Sequence, residues 1–153
     1  MAKKLSAGII LYRKRDSGPE VLLVHPGGPF WARKDDASWS IPKGEYVEGE
    51  DPLTVAKREF FEETGSALGG DFVELTPAKQ PSGKTIRAWA VEGDLDAASI
   101  RSNNFSMEWP PKSGRVQNFP EVDRALWCDF PLARKKLLPG QRVLLDELEQ
   151  RIG

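Results

Sequence analysis

The chain has a single cysteine, Cys128, so no internal disulfide can staple it. That scarcity points to a reducing compartment, with the cytosol as the expected location. Net charge is equally scarce. Against 22 basic residues stand 23 acidic ones, and a balance of −1 supplies no global field to hold a nucleic-acid backbone or an anionic membrane. A polyanionic partner would have to be held by a local site. No apolar run approaches the roughly 18 residues of a membrane span. Met1 to Ser6 passes directly into the apolar run Ala7 to Tyr12, without the apolar region and small-residue cleavage site of a secretory leader. Repeats and low-complexity tracts are missing too. The 153 residues suit one domain, 1–153, with one hydrophobic core.

The residues present divide into strand, turn and helix signals. Leu5 to Arg13 and Glu20 to His25 are rich in Ile, Leu, Val and Tyr, and Asp16-Ser17-Gly18-Pro19 lies between them, which predicts a hairpin. A Gly/Pro loop follows. Ala37 to Ile41 reads as a short strand ending at Pro42, with Lys43-Gly44 turning the chain. Asp51 as N-cap, Pro52 at the first helical position and Gly65 just past the end predict a helix from Pro52 to Thr64. Its expected buried stripe is Leu53, Ala56 and Phe60. Strands are expected at Asp71 to Thr76, Lys84 to Glu92 and Arg124 to Cys128, and helices at Pro131 to Leu137 and Gly140 to Ile152. The last helix shows an apolar face of Val143, Leu144, Leu148 and Ile152. Ser99 to Pro120, rich in Ser, Asn, Pro and Gly, reads as one long irregular loop. This order implies an α/β (α+β) sandwich.

The predicted helix carries the chemistry. Glu59, Glu62 and Glu63 stand at i, i+3 and i+4, so they share one face with Cβ atoms roughly 5–6 Å apart. Like charges so placed repel, by roughly 0.2–0.5 kcal/mol per close pair. A hard divalent cation among the oxygens reverses that sign.

Gly44, Glu50, Arg58, Glu59, Phe60, Glu62, Glu63 and Gly65 fall in one fixed register, and with them the chain resembles the Nudix hydrolases. Only Ser66 departs from the pattern, where the family prefers an apolar residue. The resemblance implies a mixed β-sheet sandwiched between α-helices. It also implies hydrolysis of a pyrophosphate bond in a nucleoside diphosphate derivative, with Mg²⁺, or Mn²⁺ in its place, as cofactor. By the same resemblance Glu59, Glu62 and Glu63 are metal ligands, and the carbonyl of Gly44 joins them. Arg58 is expected to orient Glu50 or Glu59 through a forked hydrogen-bond pair. Lys43, just before the box, suits a phosphate contact on the N-terminal side of the helix.

Family members often add a glutamate from a later loop, and Glu108 and Glu121 both qualify here. The general base is therefore open between Glu59, Glu108 and Glu121. Trp31, Phe105 and Trp109 are aromatics in loop-rich surroundings, able to pack in a core or to stack on a nucleobase. Arg33, Lys34, Lys84, Lys112 and Arg115 suit a long polyphosphate, and Trp109 and Arg115 join Lys43 as expected nucleotide-binding residues. His25 and Cys128 read as structural. Trp31-Ala32-Arg33-Lys34, Trp39 to Glu45 and Glu108-Trp109-Pro110-Pro111 most resemble bacterial members acting on nucleoside triphosphates or dinucleoside polyphosphates. The competing readings are a nucleotide-sugar or oxidised-nucleotide pyrophosphatase, a non-catalytic nucleotide-binding module, and an RNA-binding or cap-removing protein, which the near-zero net charge opposes. No membrane partner is expected, and the assembly is monomer or homodimer.

Overall fold

The computed structural model describes residues 4–152; Met1 to Lys3, part of the leader reading above, and the last residue of the expected domain lie outside the described residues. Its spine is β1 (Leu5–Arg15), which turns into β2 (Gly18–Pro26) with Tyr12 opposite Val21, so the predicted hairpin is present, starts at Leu5 as expected, and runs further toward the turn on both strands. The other edge of β1 runs parallel to β6 (Thr85–Glu92). A seven-stranded mixed sheet results, in the order β4-β6-β1-β2-β9, with β3 (Lys43–Tyr46) on β1 and β5 (Ala78–Lys79) on β6. β4 (Val73–Glu74) and β9 (Val122–Asp129) close its two ends.

Both faces of the sheet are covered, which is why β1 is a nearly continuous apolar run instead of an alternating one. Ala7, Ile9 and Leu11 point to α1 (Pro52–Thr64) and join Leu22, Val55, Ala56, Phe60, Trp89 and Val91 in one core. On the opposite face Ile10 packs with Val21, Leu23, Ile86, Ala88 and Ala90 beneath α2 (Phe130–Lys136) and α3 (Arg142–Ile152). No helix is long and apolar enough to cross a membrane among the described residues.

Four expectations need correction. Lys43-Gly44 does not turn the chain: it opens β3, with Gly44 opposite Ala7, while Trp39 and Ser40 form only isolated bridges to Leu137 and Val24. The buried face of α1 is shifted, since Val55 is in the core and Leu53 only flanks it. The segment expected as a loop from Ser99 to Pro120 contains a hairpin, β7 (Asn104–Glu108) with β8 (Val116–Pro120), separate from the main sheet. In α3, Val143 is 55% exposed and Leu145 is buried in its place, because the helix starts at Arg142 after a short 3-10 turn.

The α3 correction has a measurable consequence. Leu145→Ala should cost about 2–5 kcal/mol in chemical denaturation, the range for a buried leucine. Val143→Ala should stay within about 0.5 kcal/mol. The reverse order would restore the face expected from sequence.

Candidate active site

The helix α1 is fixed at both ends by the residues that predict it. Asp51 accepts from the Thr54 N–H (3.1 Å), Pro52 opens the first turn, and Gly65, with φ 79°, donates its N–H to the Phe61 carbonyl (2.7 Å). Its C-terminal half is held from a second direction: Asn103 donates its N–H to the Glu62 carbonyl (2.7 Å) and Arg101 to that of Thr64 (2.8 Å). Glu59 and Glu63 are thereby aimed at a cleft of about 280 Å³, also lined by Lys43, Ser40, Pro26 and Glu121.

Glu63 is the most enclosed of these acids, at 8% exposure, and among the described residues its one hydrogen bond is from the Lys43 backbone N–H (3.2 Å). Burial, then the neighbouring Glu59 charge, pushes its carboxyl up to about 8. Burial and Glu62 raise Glu59 and Glu121 in the same way, and burial lowers the Lys43 ammonium. Gly44 stands directly against the Glu59 carboxyl group: a Cβ at that position would overlap it. Glycine leaves the Glu59 carboxyl its place against β3; any larger residue would displace it.

Lys43 faces the C-terminal half of α1, at Glu63, and not the N-terminal side expected from sequence. Arg58 makes no forked pair. Its guanidinium lies between Glu50 (3.7 Å), Glu59 (3.7 Å) and Glu62 (3.9 Å), a counter-charge shared among three carboxylates. Glu50 also accepts from the Val47 N–H (2.9 Å). Among the described residues no three acidic, histidine or cysteine side chains converge as a ready-made metal cage. The donor set nevertheless fits a hard cation. A carboxyl this enclosed, with one backbone N–H as its partner, is costly to ionise, and a divalent ion among hard oxygens removes that cost.

Of the two late glutamates, only Glu121 reaches the cleft. Glu108 instead accepts from the Lys112 N–H (2.8 Å) and caps the β7–β8 turn. Glu121 is set by the start of β9, where Pro26 pairs with Val122 and His25 with Arg124, leaving Asp123 bulged out between them. The bulge sends the Asp123 carboxylate to Nδ1 of the fully buried His25 (2.8 Å), whose Nε2 donates to the Lys34 carbonyl (2.7 Å). His25 is a structural tie, as expected, and Cys128 is buried with its thiol pushed up to about 12. A further support is illegible in sequence: the buried Gln141 amide accepts from the Ile41 N–H (3.0 Å) and donates to Ser40 Oγ (3.0 Å), fixing the segment that leads to Lys43.

Trp109 and Arg115 are not in the cleft but on the β7–β8 hairpin beyond it. Lys84 is paired to Glu45 (3.2 Å). A larger hollow, about 810 Å³, lies at the far end of β9 around Trp127. Arg13 there already binds Glu20 and Asp94, each at 2.8 Å, so its charge is spent.

The NUDIX domain family model matches residues 2–148. The chain belongs to the Nudix family. As a Nudix hydrolase it is an enzyme that cleaves pyrophosphate bonds in nucleotide derivatives, and enzymes of this family generally use divalent metals. No curated protein sequence matches it. Solved structures share the fold. A Caenorhabditis elegans Ap4A hydrolase binary complex is 21% identical, covers 96% of this chain and 97% of its own, and has a TM-score of 0.64. The NUDIX domain of Shewanella oneidensis NrtR, complexed with ADP ribose, is 15% identical over 100% and 90%, at 0.68. A mutT/nudix family protein from Listeria innocua is 17% identical over 99% and 95%, at 0.62.

The enclosed Glu63 predicts how stability follows pH. Its native value, about 8, lies above the ordinary carboxyl value of 4.5. The folded form therefore holds a proton that the unfolded chain releases, and stability falls as pH rises between those values. Metal-free protein should melt at a higher temperature at pH 5 than at pH 8, and Mg²⁺ should restore the difference at pH 8. A flat melting profile with no Mg²⁺ response would remove the cation-poised role of Glu63.

Proposed function

We propose that this Nudix enzyme is a Mg²⁺-dependent pyrophosphohydrolase acting on a nucleoside triphosphate or dinucleoside polyphosphate, with Mn²⁺ as a substitute cofactor. The observation that carries the reading is the enclosed Glu63, beside Glu59 and opposite Lys43 and Glu121 in one cleft. Glu59, Glu62 and Glu63, with the carbonyl of Gly44, are the residues that would hold the metal. When bound it neutralises phosphate oxygens and makes a nearby water more acidic.

The remaining roles belong to this chain's own groups. Lys43 offers its ammonium to a nonbridging phosphate oxygen from within the cleft. Glu121 takes the proton of the attacking water, as the late glutamate that lines the cleft. Water's oxygen forms the new bond to phosphorus, the bridging P–O bond breaks, and its electrons leave with the departing phosphate. Arg58 restrains the carboxylates around it. The Ap4A and ADP ribose of the fold neighbours are both pyrophosphates linked to nucleosides, which is consistent with this substrate class. A nucleotide substrate and one buried cysteine favour the cytosol.

Glu63→Gln should lower kcat at least about a hundredfold and leave the circular-dichroism spectrum unchanged. Turnover at the wild-type rate would reject the metal assignment. Wild-type protein with Mg²⁺, offered nucleoside triphosphates, dinucleoside polyphosphates, nucleotide sugars and capped RNA, should cleave one of the first two fastest. Chromatography identifies the products, and no cleavage of any would favour a non-catalytic binding module.

A further inference from the structure

Beyond the cleft the molecule extends into an arm built from two distant segments, the loop 27–36 and the β7–β8 hairpin. Their contact is close. A Cβ on Gly27 would overlap the Pro120 carbonyl, and one on Gly28 would stand 2.9 Å from the Phe105 ring, so glycine is what lets the loop lie along the hairpin. Farther out, the Phe30 ring meets Trp109 edge-on, with centroids 5.3 Å apart. An isolated hairpin is marginal in water, and this propping explains why an off-sheet pair holds its shape. The arm is anchored where it matters, because the Asn103 and Arg101 hydrogen bonds described above seat its base on the turn of α1 that bears Glu62 and Glu63.

Two properties of the arm exceed what packing requires. Phe30 remains 60% exposed even with Trp109 against it. Charge is the second. Arg33, Lys34, Lys112 and Arg115 all lie in the arm, and among the described residues none has a carboxylate oxygen within 4.0 Å. The local acids are committed elsewhere: Asp35 to Lys136 (2.7 Å), Asp36 to Lys135 (3.8 Å) and Glu108 to the Lys112 backbone. Unneutralised cations beside an exposed aromatic ring complement an aromatic anion.

We infer that this arm is the subsite for the nucleoside end of the substrate: the base lies on the exposed Phe30 ring, backed by Trp109, while Arg115 and Lys112 hold the phosphates farthest from the carboxylates. The inference rests on the nucleotide reading above and adds where the base and the distal charge are held. Base–aromatic stacking is worth enough to change affinity tenfold or more. Because the arm is seated on α1, an occupied arm also fixes the distance from base to scissile bond.

The test is a titration of the full chain, with Mg²⁺, against a methylene-bridged ATP analogue and separately against inorganic tripolyphosphate, followed by tryptophan fluorescence. Phe30→Ala should weaken the analogue about tenfold and tripolyphosphate less than twofold. Arg115→Ala should weaken both. Melting temperatures should hold, since both side chains are exposed. Equal affinity of wild type and Phe30→Ala for the analogue overturns the inference, as does an equal loss for both ligands or no saturable binding. A change confined to sedimentation would make the arm a contact between copies, which also overturns it. Hydrolysis decides the reaction separately. A protein that binds through Phe30 but cleaves nothing loses the proposed reaction and keeps the arm, and one that cleaves ATP without regard to Phe30 keeps the reaction and loses the arm.

Discussion

The near-burial of the Glu63 carboxyl beside Glu59 is the constraint on which the rest of this structure depends. Three acids on one helical face oppose that helix, so α1 must be held by everything except its charges. It is held four ways: by the Asp51 cap, by the Gly65 terminus, by the core of Val55, Ala56 and Phe60 against β1, and by the backbone bonds from residues 101 and 103. Arg58, placed among Glu50, Glu59 and Glu62, supplies a partial counter-charge without closing a hydrogen-bonded pair on any of them. The helix is thus fixed by its caps, its core face and its neighbours while three acids crowd its other face, an arrangement that a hard cation would relieve.

How much of this was legible in the sequence varies with the range of the interaction that sets each feature. The bounds of α1 depend on Asp51, Pro52 and Gly65, all local, and they came out as Pro52–Thr64. The β1–β2 hairpin follows from its turn residues. What failed depends on partners far along the chain. Lys43-Gly44 looks like a turn until β1 offers Ala7 and Gly8 to pair with. The hairpin within 99–120 is stabilised by Phe105 against Phe119 and by the loop at Gly27 and Gly28, which no window of neighbouring residues contains. The faces of α1 and α3 were each misplaced at one residue, where the helix start and the opposing core decide the phase. Glu59, Glu63, Lys43 and Glu121 do meet in one cleft, whereas Trp109 and Arg115 stand apart from it. The ties made by Gln141 and by His25 with Asp123 had no sequence signal at all, because one buried amide or imidazole reads like any other.

Charge follows the same logic. A net charge of −1 looks neutral, yet the surface is sorted: the acids of loop 27–36 are drawn to the lysines of α2, and the cations next to them are left without partners. Composition averages over this sorting. The fold itself creates the local positive rim by folding α2 onto one side of that loop.

Gln141 carries a consequence of a different kind. Its amide reaches back 101 residues to Ser40, and the start of β9, which carries Glu121 into the cleft, likewise comes late in the chain. A polypeptide emerging from the ribosome has the acidic helix long before it has either. Between the two the chain exposes a set of carboxylates with no pocket around them, and the cleft assembles only once the segments bearing Glu121 and Gln141 have folded back. The acids of the cleft are thus supplied by one local segment, and its walls by segments far along the chain.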